Sequence, residues 1–152
     1  MKTLLRSFAL AAVSLSSFAF AGSEGWMTDW EAAKAKAKAE GKPILINITG
    51  SDWCTWCIKL EKTVFQKAAF KEFAAKNVIL MEVDLPKKKE LTPELKKQNE
   101  ALKDQYLMGG FPTVLLLDAE GKKISGDLGE LEGGPDAYVK TIGELIEKAK
   151  AK

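Results

Sequence analysis

Apolar positions along this chain change their period several times, and each change marks an element. Trp26, Trp30, Ala33 and Ala37 form a stripe at helical spacing. Thr28 and Glu31 open it at capping-box separation, and Gly41 and Pro43 close it, so a helix is predicted over about 28–40. Lys34, Lys36 and Lys38 then fall on its solvated face. Pro43-Ile44-Leu45-Ile46-Asn47-Ile48-Thr49 is a short β-branched run of the kind that fills a central strand buried on both faces. After Gly50-Ser51-Asp52 the period returns to helical near Cys54, with Cys57, Leu60 and Val64 in register and Phe65 beside them. A bend is expected around Gln66, after which Phe70, Phe73 and Ala74 carry the apolar face on to Asn77. Val78–Asp84 reads as the next strand, and a strand–helix–strand run makes the two strands parallel.

A polar stretch from Leu85 to Leu91 follows, and Thr92 with Pro93 at the first helical position begins a helix whose buried side is Leu95, Leu102 and Tyr106. Met108-Gly109-Gly110-Phe111-Pro112 leads into the apolar strand Thr113–Leu117. Asp118-Ala119-Glu120-Gly121 then predicts a hairpin turn to a more polar partner strand at Lys122–Asp127. Gly133-Gly134-Pro135-Asp136 starts a last helix with Tyr138, Ile142, Leu145 and Ala149 on one stripe. The order αβαβαββα predicts an α/β fold, a four-stranded mixed sheet with helices on both faces.

The first 21 residues stand outside this pattern. Lys2 and Arg6 precede an apolar run, Leu10 to Phe20, broken by Ser14, Ser16 and Ser17, and Ala19-Phe20-Ala21 supplies a small-x-small cleavage pattern. A signal peptide over 1–21 and one domain over 22–152 are expected, with 22–25 as a short flexible lead-in. The run is too short to span a bilayer comfortably, which makes an uncleaved anchor the weaker reading, and no stable membrane insertion is expected after cleavage. Gly22 stands where a lipid-bearing cysteine would be needed, there is no twin-arginine pair, and Lys150-Ala151-Lys152 is not a retention signal. Export to a bacterial periplasm is the simplest destination.

Charge narrows the partners. Lys2 and Arg6 are the leader's only charged side chains, so 21 bases (23 less these two) face 21 acids after cleavage. A formally neutral domain argues against nucleic acid or anionic lipid as a main partner, and a monomer is expected. The run Lys87-Lys88-Lys89-Glu90 reads as a solvated loop.

The chemistry concentrates in Asp52-Trp53-Cys54-Thr55-Trp56-Cys57, where the chain's only two cysteines stand at a strand-to-helix junction. A disulfide between them would enclose almost no chain, so a structural staple gains little. A closed zinc site wants four Cys or His ligands, and the sequence has two cysteines and no histidine. A dimer pooling four thiolates and a copper carrier rank lower still, and no cofactor or metal is expected. Two close thiols at a helix N-terminus, where a thiolate is stabilised, point to redox cycling.

Trp53-Cys54-x-x-Cys57 between strand and helix, followed by Gly110-Phe111-Pro112-Thr113 entering a hairpin, resembles the thioredoxin-like superfamily over about residues 26–150. With Asp52, Glu61-Lys62 and Phe65, it looks most like the small exported members and the C-terminal periplasmic domain of DsbD-type thiol:disulfide interchange proteins. The resemblance implies that Cys54, at an exposed helix mouth, attacks a protein disulfide and that Cys57 resolves the mixed disulfide. It also implies a cis bond before Pro112. Phe111, Pro112 and Thr113 would then hold an extended substrate, with Trp53 as an apolar platform. Protein thiols or disulfides would be the substrates, and a membrane-linked electron donor would recharge the pair.

In thioredoxins a buried acid on the preceding strand assists the second cysteine. The position six before Cys54 is Ile48, so that helper is expected to be absent, with Asn47 pointing to the other side of the pleat. Glu61, one turn beyond Cys57, is a candidate for that role, although an exposed helix position is expected for it. Thr55-Trp56 between the cysteines lacks the histidine that would favour an oxidant, which leans the reading toward a reductase or isomerase. A dithiol oxidase and a redox-inert peptide-binding module remain alternatives.

Overall fold

A computed structural model describes residues 22–129 and 131–151; the leader expected over 1–21 lies outside the described residues. Along the chain come α1 (Trp30–Glu40), β1 (Ile44–Thr49), α2 (Thr55–Leu60), a π-helical turn (Glu61–Phe65), α3 (Ala68–Asn77), β2 (Ile79–Asp84), α4 (Pro93–Tyr106), β3 (Thr113–Leu117) and α5 (Gly134–Lys150). The strand order is β2-β1-β3, with β1 central, parallel to β2 and antiparallel to β3. Every residue of β1 and β3 is buried, as the unbroken apolar runs require of strands covered on both faces.

Two apolar layers sandwich the sheet. Leu45, Val114 and Leu116 pack with Leu60, Val64, Phe65, Phe70, Tyr138 and Ile142, on the side of α2, α3 and α5. Ile44, Ile46, Ile48, Met81 and Val83 pack with Ala33, Ala37, Leu102 and Tyr106, on the side of α1 and α4. The strand alternation thus assigns each β1 side chain to one layer.

The structure has three strands where the sequence pattern predicts four. Residues 122–128 run beside β3, and Ile124 and Leu128 donate backbone bonds to Leu116 and Val114. The return bonds go to side chains instead: Leu116 N–H donates to Ser125 Oγ at 2.9 Å and Val114 N–H to Asp127 Oδ1 at 2.9 Å. Only a single backbone bridge, Leu117 to Lys123, forms there. The polar residues that make this segment look like a solvent-facing strand are the ones that interrupt its ladder.

Smaller differences have similar local causes. Asp29, rather than Thr28, caps α1, accepting from Ala32 N–H at 2.9 Å. Trp26 lies before that helix and packs in the opposite layer from Ala33 and Ala37. The expected bend at Gln66 is present. It is preceded by a π turn closed by Gln66 N–H on Glu61 C=O, which lets the consecutive Val64 and Phe65 both face the core. Residues 22–25 do not trail free: Ser23 hydrogen-bonds Glu82, Trp26 N–H donates to Ser23 C=O, and Met27 bridges to Met81 of β2. The buried stripe of α5 is Tyr138, Ile142 and Ile146, with Leu145 half-buried and Ala149 exposed.

Candidate active site

Cys54 is the N-cap of α2, and its backbone there is extended. That geometry turns the first helical amides toward the cap, and Cys57 N–H donates to Cys54 Sγ at 3.2 Å. The two cysteines form a disulfide, with Cα atoms 5.2 Å apart. Cys54 is only 6% exposed and Cys57 4%, so the expected open mouth is a shielded one. In the reduced state the same amide, in the first turn of the helix, favours a thiolate on Cys54 over one on Cys57.

The turn that aims Cys54 is anchored from outside. Cys54 N–H and Trp53 N–H both donate to Gly50 C=O. Asp84, at the end of β2, accepts from Ser51 N–H and Oγ at 2.9 and 2.6 Å. Asp52 accepts from three successive amides, Lys87, Lys88 and Lys89, at 2.9, 2.7 and 3.0 Å. These bonds, Lys87 first among them, hold the Asp52 carboxyl below its ordinary pKa. The lysine run is therefore more than a solvated loop, since its backbone clasps the turn bearing the cysteines.

Trp53 is fixed on every side. Its Nε1–H donates to Leu85 C=O at 2.8 Å, its ring meets Phe111 edge-on at 5.2 Å, and Lys87 Nζ sits 4.2 Å from the ring centroid. Gly50 lies against the ring so closely that a Cβ there would stand 2.4 Å from Trp53 Cε2, which explains the glycine. The Phe111–Pro112 peptide is cis. Thr113, expected among the substrate contacts, is fully buried, and its hydroxyl accepts from Met108 N–H at 3.1 Å and donates to Gly110 C=O at 2.8 Å. Its side chain shapes the loop before Pro112 and has no face for a ligand.

An open groove of about 670 Å³ is lined by Trp56, which stands between the two cysteines in the chain, and by Lys59, Thr63, Val64, Pro112 and Leu131 among others. Trp56 is 66% exposed, with Lys59 Nζ 5.0 Å from its ring centroid. The sequence reading did not single out Trp56 as an exposed residue lining a groove. The signal was available: a large aromatic off the Cys57-Leu60-Val64 stripe must face solvent.

Behind the disulfide, the structure reverses the expectation for β1. Ile48 packs among α1 and α4 residues, away from α2. Asn47 shares the opposite face with Leu45, toward the layer holding Leu60 and Val64, which lie on one helical stripe with Cys57. The turn closed on Gly50 C=O breaks any residue count carried across it. Asn47 is 5% exposed, and its Oδ1 has no hydrogen-bond partner among the described residues. Beside it in register on β2 stands Glu82, 7% exposed. Burial raises the Glu82 pKa and the Asp84 charge adds to this, while bonds from Ser23 oppose it. Glu61 is half-buried rather than exposed, and burial followed by the Glu82 charge raises its pKa. Neither Glu82 nor the true face of Asn47 was readable from spacing.

A thioredoxin-like family model matches residues 25–119. The chain is 40% identical over 121 residues to the disulfide bond reductase DsbH of Chlamydia pneumoniae, covering 78% of this chain and 72% of that one. It is 31% identical over 100 residues to the thiol:disulfide interchange protein DsbD of Pseudoalteromonas atlantica, spanning 66% of this chain but 15% of that relative. A solved structure of a DsbH oxidoreductase superposes with a TM-score of 0.75 at 34% identity, covering 97% of this chain and 94% of the other.

Proposed function

This chain belongs to the thioredoxin-like family, and from that premise we propose that it is a reductase of protein disulfides working in the periplasm as a monomer. Thiol–disulfide oxidoreductase activity follows from the Cys54–Cys57 pair and the kinship with DsbH. The reducing direction, the residue roles and the compartment are our reading.

Cys54 thiolate attacks one sulfur of a substrate disulfide, forming a mixed disulfide and releasing the other substrate sulfur as a thiolate. Cys57, deprotonated, then attacks Cys54 Sγ. The second substrate sulfur leaves as a thiolate, and Cys54–Cys57 becomes the disulfide. Two electrons have passed from the protein to the substrate, and a membrane-linked dithiol donor returns them. The groove beside Trp56 and Pro112 receives the extended substrate, and Trp53 and Phe111, packed edge-on and next in sequence to Cys54 and Pro112, form an apolar platform for it. Cleavage after Ala21 and export of residues 22–152 complete the reading; no helix among the described residues is long and apolar enough to cross a membrane.

The observation that carries the direction is the cap. Cys54 Sγ receives one backbone amide, from Cys57, and the motif supplies no imidazole to stabilise a thiolate further. With modest thiolate stabilisation the dithiol remains a good electron donor. Equilibration against graded glutathione and dithiothreitol buffers is expected to place the couple near the thioredoxin value of about −270 mV; a value near −120 mV would make the protein an oxidase. Reduced protein that leaves a peptide disulfide intact would identify a peptide-holding module instead.

A further inference from the structure

Glu82 is an acid on a β-strand, buried against the rear of the site, with no lysine or arginine bonded to it among the described residues. Its hydrogen bonds come from Ser23, whose Oγ–H donates to Oε2 at 2.7 Å and whose N–H reaches Oε1 at 3.4 Å. Two further acids bear on the same charge: the Asp84 carboxylate raises the Glu82 pKa and Glu82 raises that of Glu61, while Lys89 acts on Glu82 in the opposite sense; Lys71, which influences Glu61, is ion-paired with Glu24. A carboxylate taken out of water among other carboxylates calls for a cation.

The neighbouring residue supplies a place for one. Gly22 is packed so that a Cβ on it would lie 3.2 Å from Glu82 Oε1, 2.9 Å from Thr28 Cγ2 and 3.3 Å from Trp26 C=O. The backbone nitrogen on that same Cα is then within about 6 Å of the carboxylate by standard bond lengths, inside the range of strong charge pairing. We propose that Glu82 is an intramolecular receptor for the α-ammonium created on Gly22 when the Ala21–Gly22 bond is hydrolysed.

This rests on the processing site read from Ala19-Phe20-Ala21. Water adds across the amide under a leader peptidase, leaving a carboxylate on Ala21 and an ammonium on Gly22. Before cleavage that nitrogen is a neutral amide and the pair does not exist. After cleavage the charge adds to the bonds that already hold residues 22–27 along β2, so this edge is held more tightly once the leader is gone. Pairing raises the amine's folded pKa above its ordinary value of about 7.7–8.0. The stabilisation is then complete below that ordinary value and fades as pH rises through the raised one.

The test compares two chains beginning at Gly22, one with a free amine and one N-acetylated, each with Glu82 and with Glu82→Gln. At pH 7 the free-amine chain is expected to melt about 3 °C above the acetylated one. The gap should close above pH 10 and disappear in Glu82→Gln, and NMR titration of Gly22 should show the raised amine pKa. Equal melting temperatures at pH 7, or a gap that survives Glu82→Gln, overturns the receptor. The intact mass of the exported protein tests the processing separately, and a first residue other than Gly22 overturns that reading.

Discussion

Asn47 is a buried amide whose carbonyl oxygen goes unmatched among the described residues, on the face of β1 that looks toward the layer holding Leu60 and Val64. Water would bond both its polar ends, and the core bonds fewer, so its desolvation is not fully recovered. Replacing it with a side chain of similar size and no polar atoms removes that penalty. Asn47→Leu is expected to raise the unfolding free energy by about 1 kcal/mol, read from urea midpoints at constant m. A loss of stability of that size would mean that Oδ1 has a partner in solution.

At the scale of elements, the turn Gly50–Trp53 and the loop after β2 act as one piece, because Asp52 gathers three amides of that loop and Lys87 covers Trp53. Asp52 has its pKa lowered in the folded state, so its ionised form is bound more tightly there than in the unfolded chain. The stabilisation is therefore fully present above the ordinary carboxylate range and is lost as pH falls through the lowered value. Asp52→Asn is expected to destabilise the protein at pH 7, with the gap to the parent chain closing only under strongly acid conditions, as urea midpoints at a series of pH values will record. This linkage is also where sequence reading stops. The three strands, the Thr92-Pro93 helix start and the bend at Gln66 rest on neighbours in sequence, and periodicity reveals them. The faces of Asn47 and Ile48 follow from the turn closed on Gly50 C=O, the missing fourth strand from side chains that take β3 amides, and the anchoring of Asp52 from amides some 35 positions away, none of which a hydrophobic period encodes. Cys54, Cys57 and Pro112 were legible because motif and spacing carry their chemistry. Trp56 was passed over as a spacer between cysteines.

For the whole molecule, the layer beneath the site is knitted by aromatic rings. Phe65 meets Trp26 at 5.0 Å, Phe70 at 4.9 Å and Tyr138 at 5.9 Å, joining the N-terminal segment, the π turn, α3 and α5 at one point. Tyr138 carries this onward by donating its hydroxyl to Leu128 C=O in the loop beside Pro112. Phe65→Ala empties the centre of that junction and is expected to cost about 3–5 kcal/mol, measurable by chemical denaturation. A cost near 1 kcal/mol would mean that the rings close over the gap.

The side chains that end the ladder beside β3 have a consequence for a crowded solution of this protein. A strand edge with free amides invites another chain to zip onto it, the first step of sheet-to-sheet aggregation. Here Ser125 Oγ and Asp127 Oδ1 occupy alternate amides of β3, and Met27 engages both Leu80 and Glu82 on the far edge at β2. A side-chain oxygen accepts the amide's hydrogen bond without offering a strand to extend. The domain thus keeps a small sheet small, because each edge spends hydrogen-bonding groups that a second copy would need.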